Sequence, residues 1–402
     1  MHNGLNTVTV NEKLNKVKSD MFEMVAKTFF GLEEILAREI RDLGGEKVEI
    51  LNRAVRFYGN KELLYRANLY LRTAIRILIP VMNTKIGSQQ ELYDRVRTFE
   101  WEKYIRLGNT IAVDSVLSDS VFDHSHFLSL RTKDAIADRF REKFRRRPSV
   151  NIYNPDIMIN VHLANNLLDI SVDSSGESLH KRGYRIAEVA APINEVLAAG
   201  MIGLSGWEGD TDFYDSMCGS GTIGIEAALI ARHLPPGIFR KKFGFENHPD
   251  FDDSLWTKIF DDIHEKAWDG NIFCSDISEK AIRIATRNAK EASVLKNIRF
   301  TEQGFESYPE IKNGGVAIMN PPYGERMAKT EIQHFYNMIG NTMKRSFSNS
   351  DFWIISSNLD ALKHIGLKPT EKIKLFNGPL ECRFIKYEMY KGSKKEKFRA
   401  ND

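Results

Sequence analysis

The sequence is poor in cysteine and lacks any long apolar run. Among 402 residues it has three cysteines, Cys218, Cys274 and Cys382, which lie far apart and show no C-x-x-C spacing. This excludes a disulfide-built scaffold and favours a reducing, cytoplasmic location. No stretch of about 18 apolar residues occurs, so the sequence predicts no membrane span.

Metal-ligand patterns and a strong excess of charge are also missing. His124 and His126 have an H-x-H spacing, but no cysteine or carboxylate ligand set accompanies them, so we expect no metal site. Residues 1–20 lack the apolar core of a secretion signal, and we expect them, like residues 391–402, to be flexible tails. The net charge is only +3. Any affinity for nucleic acid must therefore come from local basic patches.

The most informative feature present is a proline-rich loop that follows an apolar run. Gly315–Met319 reads as a buried strand, and Asn320, Pro321, Pro322 and Tyr323 follow it directly. The prolines restrict the backbone, so the Asn320 side-chain oxygen and the next carbonyl form a preset pair of acceptors. Such a pair can bind both hydrogens of an aromatic amine and direct its lone pair at an electrophilic methyl, while Tyr323 offers a face for base stacking. The structural alternative is a rigid turn after a strand.

A glycine turn lies upstream, between strand-like residues 211–214 and helix-like residues 225–231. It runs from Asp215 through Gly219 and Gly221 to Gly224. Glycines let the backbone approach a ligand closely, and an acid at a strand end can bind a ligand amine. The glycines also fit the dinucleotide pattern G-x-G-x-x-G, so a nicotinamide-dependent oxidoreductase remains an alternative.

The next strand-like segment, residues 271–275, ends in Asp276, ahead of a helix-like stretch at 278–291. A carboxylate at this place can bind both hydroxyls of a ribose, which suits a methyl donor and a nicotinamide cofactor equally. Only a methyl donor gives the later Asn-Pro-Pro-Tyr loop a chemical role.

The first half of the chain alternates strand-like and helix-like segments. An amphipathic run at 32–43 predicts a helix that ends at Gly44-Gly45. The strand-like segments are 22–26, 48–51, 55–58, 110–116 and 167–172. The pattern predicts a small α+β unit followed by a longer one.

Residues 131–147 between these strands predict a helix with one apolar side and a dense set of Arg and Lys elsewhere. Arg145, Arg146 and Arg147 close it. Basic residues in a last turn also stabilise the helix dipole. Three consecutive arginines exceed what capping needs, and they suit salt-dependent contacts with phosphates.

Residues 179–390 resemble the Rossmann-like, S-adenosylmethionine-dependent methyltransferases with an Asn-Pro-Pro-Tyr motif. The resemblance is strongest to the THUMP-containing ribosomal RNA guanine-N2 methyltransferases, often labelled N6-adenine-specific DNA methylases. It rests on the two motifs above and on Leu179–Arg185 followed by 191–199, and Asn377–Arg383. It implies a class I methyltransferase domain at 179–390, preceded by an α+β THUMP domain at 66–172 with a ferredoxin-like unit at 21–65.

The resemblance also implies residue roles. The target amine would be handled by Asn320, Pro321, Pro322 and Tyr323. The cofactor would be bound by Asp215, Cys218, Gly219, Ser220, Gly221, Thr222, Asp276, Ile277, Gln303, Gly304 and Phe305. Apart from the resemblance, the basic residues that we expect to bind RNA are Arg131, Lys133, Arg145, Arg146, Arg147, Lys181, Arg182 and Arg185. For Lys181, Arg182 and Arg185 singly, a surface salt bridge is the alternative. Two positions depart from the family pattern: Ser216 stands where Pro is usual, and Gln303 where many relatives place an Asp against the adenine amine.

The resemblance implies methyl transfer from S-adenosylmethionine to the N2 amine of a guanosine in RNA, with 23S rRNA as the expected substrate. We expect no covalent intermediate at Cys218, because methylation of an amine requires none. The alternatives are a tRNA guanine-N2 methyltransferase, an N6-adenine DNA methyltransferase, the oxidoreductase above and a non-catalytic RNA-binding module. No oligomeric state follows from the sequence.

Overall fold

The computed structural model describes residues 21–390 except 119, 121, 123, 190, 191, 325 and 326. The two expected tails, 1–20 and 391–402, lie outside the described residues. Among the described residues, no helix is long and apolar enough to cross a bilayer. The chain divides into two compact units. Among the described residues, the first unit holds 21–28, 36–179 and 240–262, and the second holds 29–35, 180–239 and 263–390.

The described residues form two sheets with helices between their strands. The strands are β1 (Phe22–Lys27), β2 (Glu46–Leu51), β3 (Ala54–Gly59), β4 (Arg76–Lys85), β5 (Thr110–Ser118), β6 (Ser149–Val150), β7 (Ile157–Ala164), β8 (Leu167–Asp173), β9 (Phe213–Asp215), β10 (Ile272–Asp276), β11 (Ile298–Glu302), β12 (Gly315–Met319), β13 (Ser350–Ser356), β14 (Glu371–Asn377) and β15 (Leu380–Met389).

The helices are α1 (Glu33–Asp42), α2 (Lys61–Tyr70), α3 (Gln89–Thr98), α4 (Ser125–Phe144), α5 (Glu195–Ser205), α6 (Thr222–Ala231), α7 (Asp253–Asp261), α8 (Glu279–Glu291), α9 (Lys329–Ser346) and α10 (Leu359–Leu362). Short 3-10 helices occupy Trp101–Lys103, Gly244–Asn247, Leu295–Asn297, Phe305–Ser307 and Lys363–Ile365.

One eight-stranded sheet runs through the first unit in the order β2-β3-β1-β4-β8-β7-β5-β6. β4 is the shared strand: its Leu78 is opposite Val25 of β1 on one side and opposite Asp173 of β8 on the other. The element order β1-α1-β2-β3-α2-β4 is that of a ferredoxin-like unit. The two predicted α+β parts therefore share a continuous sheet.

The helix α4 begins six residues before its predicted start, at Ser125, and ends at Phe144. Its buried side chains include Leu128, Ile136 and Phe140, which pack in the core under the sheet. Arg145 follows in a left-handed conformation, with φ of 57°. The three arginines therefore lie beyond the last helical turn, and all are exposed.

Residues 240–262 lie within the catalytic part of the sequence but belong to the first unit. An aromatic cluster holds them there. Phe245 stacks on Tyr65 of α2 with ring centroids 4.3 Å apart, and Trp256 of α7 meets both rings edge on. The Tyr65 hydroxyl accepts a hydrogen bond from the Asp252 amide at 3.0 Å. Aromatic pairs of this kind add to ordinary apolar burial, which explains the position of the insertion.

The second unit contains a seven-stranded sheet in the order β11-β10-β9-β12-β13-β15-β14. The first five strands in that order are parallel, and β15 is antiparallel to both β13 and β14. Parallel strands are covered on both faces, which is why Gly315–Met319 is a nearly continuous apolar run. The chain moves from β9 outward through β10 to β11, then returns to place β12 on the other side of β9. The switch point therefore lies between β9 and β12, where α/β sheets bind ligands.

Candidate active site at the carboxyl edge of the second sheet

Three neighbouring strands end in the residues that carry the predicted chemistry. β9 ends at Asp215, β10 ends at Asp276, and β12 ends at Met319, one residue before Asn320. β9 pairs with β10 through Asp215 opposite Cys274, and with β12 through Tyr214 opposite Ala317. Parallel strands end at the same edge, so the structure brings both sequence motifs to one edge.

The glycine turn closes against Asp276. The Gly219 amide donates to one Asp276 carboxylate oxygen at 3.0 Å, and the Ser278 amide donates to the other at 2.9 Å. Gly221 has φ of +81°, and a Cβ there would lie 2.9 Å from the Cβ of Ala285, so only glycine fits. The Gly219 amide and the start of α8 therefore hold the Asp276 carboxylate beside the turn.

Asp215 is a buried carboxylate without ordinary partners. It is 0% exposed, and neither of its oxygens has a hydrogen bond of normal geometry among the described residues. Burial raises the pKa of Asp215 to about 8, with a further contribution from the charge of Asp276, while the nearby amides of Gly224 and Met217 oppose the rise. An unsatisfied buried carboxylate is stabilised by a cation, so the site fits a positively charged ligand.

Asn288 of α8 is a site residue that the sequence analysis missed. Its side-chain oxygen accepts from the amides of Ile186 and Ala187 at 3.1 and 3.3 Å, and its amide nitrogen donates to the carbonyls of Ala187 and Ser220 at 2.9 and 3.1 Å. All four hydrogen-bonding positions of the side chain are filled. Asn288 therefore ties residues 186–187 to the glycine turn. The sequence offered one signal for this residue, since Asn288 is a polar residue on the otherwise apolar face of a helix.

Several predicted cofactor residues have buried side chains: Cys218, Ser220 and Thr222. A hydrogen bond with Cys274, together with burial, raises the pKa of the Cys218 thiol well above its ordinary value. The thiol therefore stays protonated, which agrees with the expectation that it is not a nucleophile.

Phe305 requires a correction. The sequence analysis placed Phe305 among the cofactor-binding residues, but the residue is 3% exposed. Its ring lies among those of Phe347, Phe352 and Tyr308, with centroids 5.8 to 6.1 Å from its own. Its ring therefore belongs to a hydrophobic core cluster of the second unit. By contrast, Ile277 is 71% exposed directly after Asp276. Gln303 is half-buried and joins the same edge through its backbone amide, which donates to the Asp276 carbonyl at 3.0 Å.

The Asn-Pro-Pro-Tyr loop is held from two sides. Asn358, after β13, donates to the Tyr323 carbonyl at 3.0 Å. Asn377, at the end of β14, donates to the Tyr323 hydroxyl at 3.2 Å, and that hydroxyl donates to the Asn320 side-chain oxygen at 2.9 Å. Gly324 has φ of +85° and ends the loop, where a Cβ would lie 2.5 Å from Ile332 of α9. The sequence analysis identified neither Asn358 nor the contact made by Asn377.

Two predicted RNA contacts are also corrected. Arg182 is 2% exposed, and its guanidinium lies 3.5 Å from the Glu226 carboxylate, which also accepts from the Tyr184 hydroxyl at 2.9 Å. Arg185 is largely buried and donates to Glu195 at 2.8 Å and to Thr222 at 2.9 Å. Both guanidiniums brace the segment that leads into the glycine turn. Lys181 is exposed.

The first unit presents most of the remaining predicted RNA residues. Arg131 lies over the Tyr93 ring at 4.1 Å and donates to Gln90 at 3.1 Å, and Lys133 lies 2.9 Å from Asp134. Arg145, Arg146 and Arg147 are exposed. Tyr153, which the sequence analysis did not select, is 92% exposed a few residues farther on. Its loop is shaped by Asn151, whose side-chain oxygen accepts from the Tyr153 and Asn154 amides at 3.1 and 3.0 Å.

No group of three or more metal-ligating side chains occurs in the part of the chain that the structure describes.

Comparison with known proteins identifies all three parts of the chain. Residues 182–386 match the RMKL-like methyltransferase domain, 23–78 match the RlmL ferredoxin-like domain, and 88–173 match the THUMP domain. A Synechocystis protein named "Putative RNA methyltransferase slr0064" is 36% identical over 90% of this chain and 95% of its own length.

The "Ribosomal RNA large subunit methyltransferase K/L" of Syntrophotalea carbinolica is 36% identical over 89% of this chain. The match covers 52% of that protein, so the chain spans about half the length of these larger relatives. A solved structure, SMU.472, described as a putative methyltransferase complexed with SAH, superposes with a TM-score of 0.84 at 31% identity. It covers 93% of this chain and 100% of its own.

These matches confirm the predicted fold class and the predicted cofactor. The chain belongs to the family with an RMKL-like methyltransferase domain, and it is an S-adenosylmethionine-dependent methyltransferase with ferredoxin-like and THUMP domains.

Proposed function

We propose that this enzyme transfers a methyl group to the exocyclic N2 amine of a guanosine in RNA, with 23S rRNA as the substrate. The observation that carries the proposal is the position of Asn320, at the end of the strand beside the one that leads into the glycine turn. An amine held at Asn320 is thereby brought next to the edge that binds the cofactor. Relatives named as ribosomal RNA large subunit methyltransferases support the choice of RNA.

S-adenosylmethionine supplies a sulfonium-bound methyl group that is open to attack by a nucleophile. Asp276 binds the ribose hydroxyls, using acceptor capacity beyond its two bonds to backbone amides. Ile277 offers an exposed apolar surface to the adenine, and Gln303 lies beside it on the same edge. The buried Asp215 carboxylate stands at the end of β9, directly before the turn, and in its ionised form it would favour the cationic methionine end.

The side-chain oxygen of Asn320 and the backbone carbonyl of Pro321 accept the two hydrogens of the target amine. This withdraws the nitrogen lone pair from the aromatic ring and directs it at the methyl carbon. Pro321 and Pro322 preset the two acceptors, so little reorganisation is needed when the base arrives. As the nitrogen–carbon bond forms, the carbon–sulfur bond would break and leave its electron pair on sulfur, which would depart as a neutral thioether. The surplus amine proton would pass to Asn320, to the carbonyl or to water. The ring of Tyr323 stacks the extruded base.

The exposed arginines 145–147 of the first unit supply positive charge for RNA phosphates. Tyr153 adds a ring on which an unpaired base can stack, since its side chain is almost fully exposed. Arg131 and Lys133 are further cationic residues of the first unit that we assign to RNA binding, and the exposed Lys181 of the second unit is a separate candidate. Arg182 and Arg185 are not included, because both are enclosed within the second unit.

The decisive experiment supplies labelled S-adenosylmethionine with separate pools of unmodified 23S rRNA, tRNA and DNA. We expect label in 23S rRNA, recovered as N2-methylguanosine after digestion and mass spectrometry. Asn320→Ala is the control for catalysis by this loop. Recovery of N6-methyladenine from DNA, or label in tRNA alone, would refute the assigned substrate while leaving methyl transfer intact.

A further inference from the structure

We propose that Asn377 and the Tyr323 hydroxyl form a positioning relay that orients the side-chain amide of Asn320 for its role with the target amine. The inference rests on the proposed function, because it assigns a role to residues around the proposed amine-binding oxygen.

The relay consists of two hydrogen bonds in series. Asn377 donates to the Tyr323 hydroxyl at 3.2 Å, and the hydroxyl donates to the Asn320 side-chain oxygen at 2.9 Å. A phenol has one proton to donate. Because Asn377 approaches as a donor, that proton is directed to Asn320, and the amide is fixed with its oxygen facing the hydroxyl.

This orientation matters because the two ends of an asparagine amide have opposite functions. An amide turned over would present its NH₂ group, which cannot accept a hydrogen from an amine. The carbonyl oxygen has two lone pairs, so one can bind the Tyr323 hydroxyl and the second remains for substrate. The relay thus selects the acceptor end of Asn320 before the base arrives, which is preorganisation in its simplest form.

The surroundings keep the hydroxyl in the donor state. Burial raises the pKa of Tyr323 well above its ordinary value, so the phenol stays protonated. The Cys382 sulfur, on β15, lies 3.9 Å from the same oxygen. Asn377 and Cys382 flank the turn of one hairpin, β14 and β15, which pairs Leu375 with Cys382. The hairpin at the edge of the sheet therefore acts on the Asn-Pro-Pro-Tyr loop from about 55 residues away in sequence.

The relay gives Tyr323 a role separate from stacking, and the two can be separated by mutation. Tyr323→Phe keeps the ring and removes only the hydroxyl. Asn377→Asp replaces a donor by an acceptor, which draws the Tyr323 proton away from Asn320. Tyr387→Phe, a buried tyrosine of β15, and Asn341→Asp, an exposed asparagine of α9, are the matched controls.

The test measures single-turnover methyl transfer to unmodified 23S rRNA, with cofactor and RNA saturating, and cofactor affinity by calorimetry. Tyr323→Phe and Asn377→Asp should each lower the rate constant about tenfold, the effect of losing one orienting hydrogen bond. Cofactor affinity should not change, and the controls should stay within about twofold of wild type. The double variant should be no slower than Tyr323→Phe, because Asn377 acts only through the hydroxyl.

A wild-type rate in Tyr323→Phe would overturn the relay, and so would a double variant whose loss equals the product of the two single losses. Either result leaves the proposed function standing, since wild type is active in the same assay. A wild-type protein that transfers no methyl to guanosine N2 would instead remove the proposed function, and the relay with it.

Discussion

Replacing Asp215 with asparagine should stabilise the cofactor-free protein, by an amount that grows with pH. Asp215 is completely buried, and burial raises its pKa from an ordinary 3.8 to about 8. The folded protein therefore keeps a proton that the unfolded chain releases above about pH 4. Between about pH 4 and 8 the folded state binds more protons than the unfolded state, so the stability of wild type falls as pH rises. An asparagine side chain does not titrate in this range, so the variant lacks this loss.

The magnitude follows from the same pKa. Each pH unit inside the window corresponds to about 1.4 kcal/mol, so the full effect reaches ~6 kcal/mol above pH 8. That figure is an upper limit, because a protein relaxes around a buried charge and lowers its cost. The slope of the free energy of unfolding against pH depends less on this relaxation. It requires only that Asp215 titrates at a different pH in the folded and unfolded states.

The assay is urea denaturation of both proteins from pH 5 to pH 9 without cofactor. The difference in the free energy of unfolding should increase by up to about 1.4 kcal/mol per pH unit and level off near pH 8. Asp269→Asn, which changes an exposed carboxylate of the same unit, is the matched control. If the free energies of unfolding of Asp215→Asn and wild type differed by a constant amount from pH 5 to pH 9, the argument from burial would be refuted.

In the proposed function, the Asp215 carboxylate serves the cofactor-bound state. A cationic ligand favours the ionised form of Asp215, so binding of S-adenosylmethionine below pH 8 should release a proton. Calorimetry of wild type at pH 7 in buffers of different ionisation enthalpy measures that release. The Asp215→Asn variant should bind S-adenosylmethionine more weakly and release no proton. Identical proton release in both proteins would show that a group other than Asp215 loses the proton.

Three further outcomes are expected. Asn320→Ala should lower single-turnover methyl transfer by about 10²-fold or more with little change in cofactor affinity, and an unchanged rate would remove it from the mechanism. Asp276→Ala should weaken cofactor binding in calorimetry, and an unaltered dissociation constant would contradict its assignment to the ribose. Replacing Arg145, Arg146 and Arg147 together with Ala should reduce the slope of log affinity against log salt for single-stranded RNA by about 2. A slope equal to that of wild type would show that these arginines contact no phosphates.

The sequence alone was sufficient to place the candidate site residues at the ends of strands. Asp215, Asp276 and Asn320 each end or follow a short apolar run, and strands of that kind are recognisable because their side chains and flanking turn residues are local properties. Parallel strands end at one edge, so three strand ends imply one site. The observed strands and helices agree with these local signals to within a few residues in the catalytic half.

Only the tertiary structure decided which side chains serve that site. Arg182 has a residue type that suits RNA, and Phe305 has one that suits a cofactor ring. Both are buried, by residues that are distant in sequence or that no local sequence pattern indicates. Asn288 and Asn377 were not predicted as site residues, because their partners lie about 100 and 54 residues away. Local periodicity determines where a strand or helix forms. The direction of a polar side chain depends on the donors and acceptors that folding brings to it, and these come from other strands and helices.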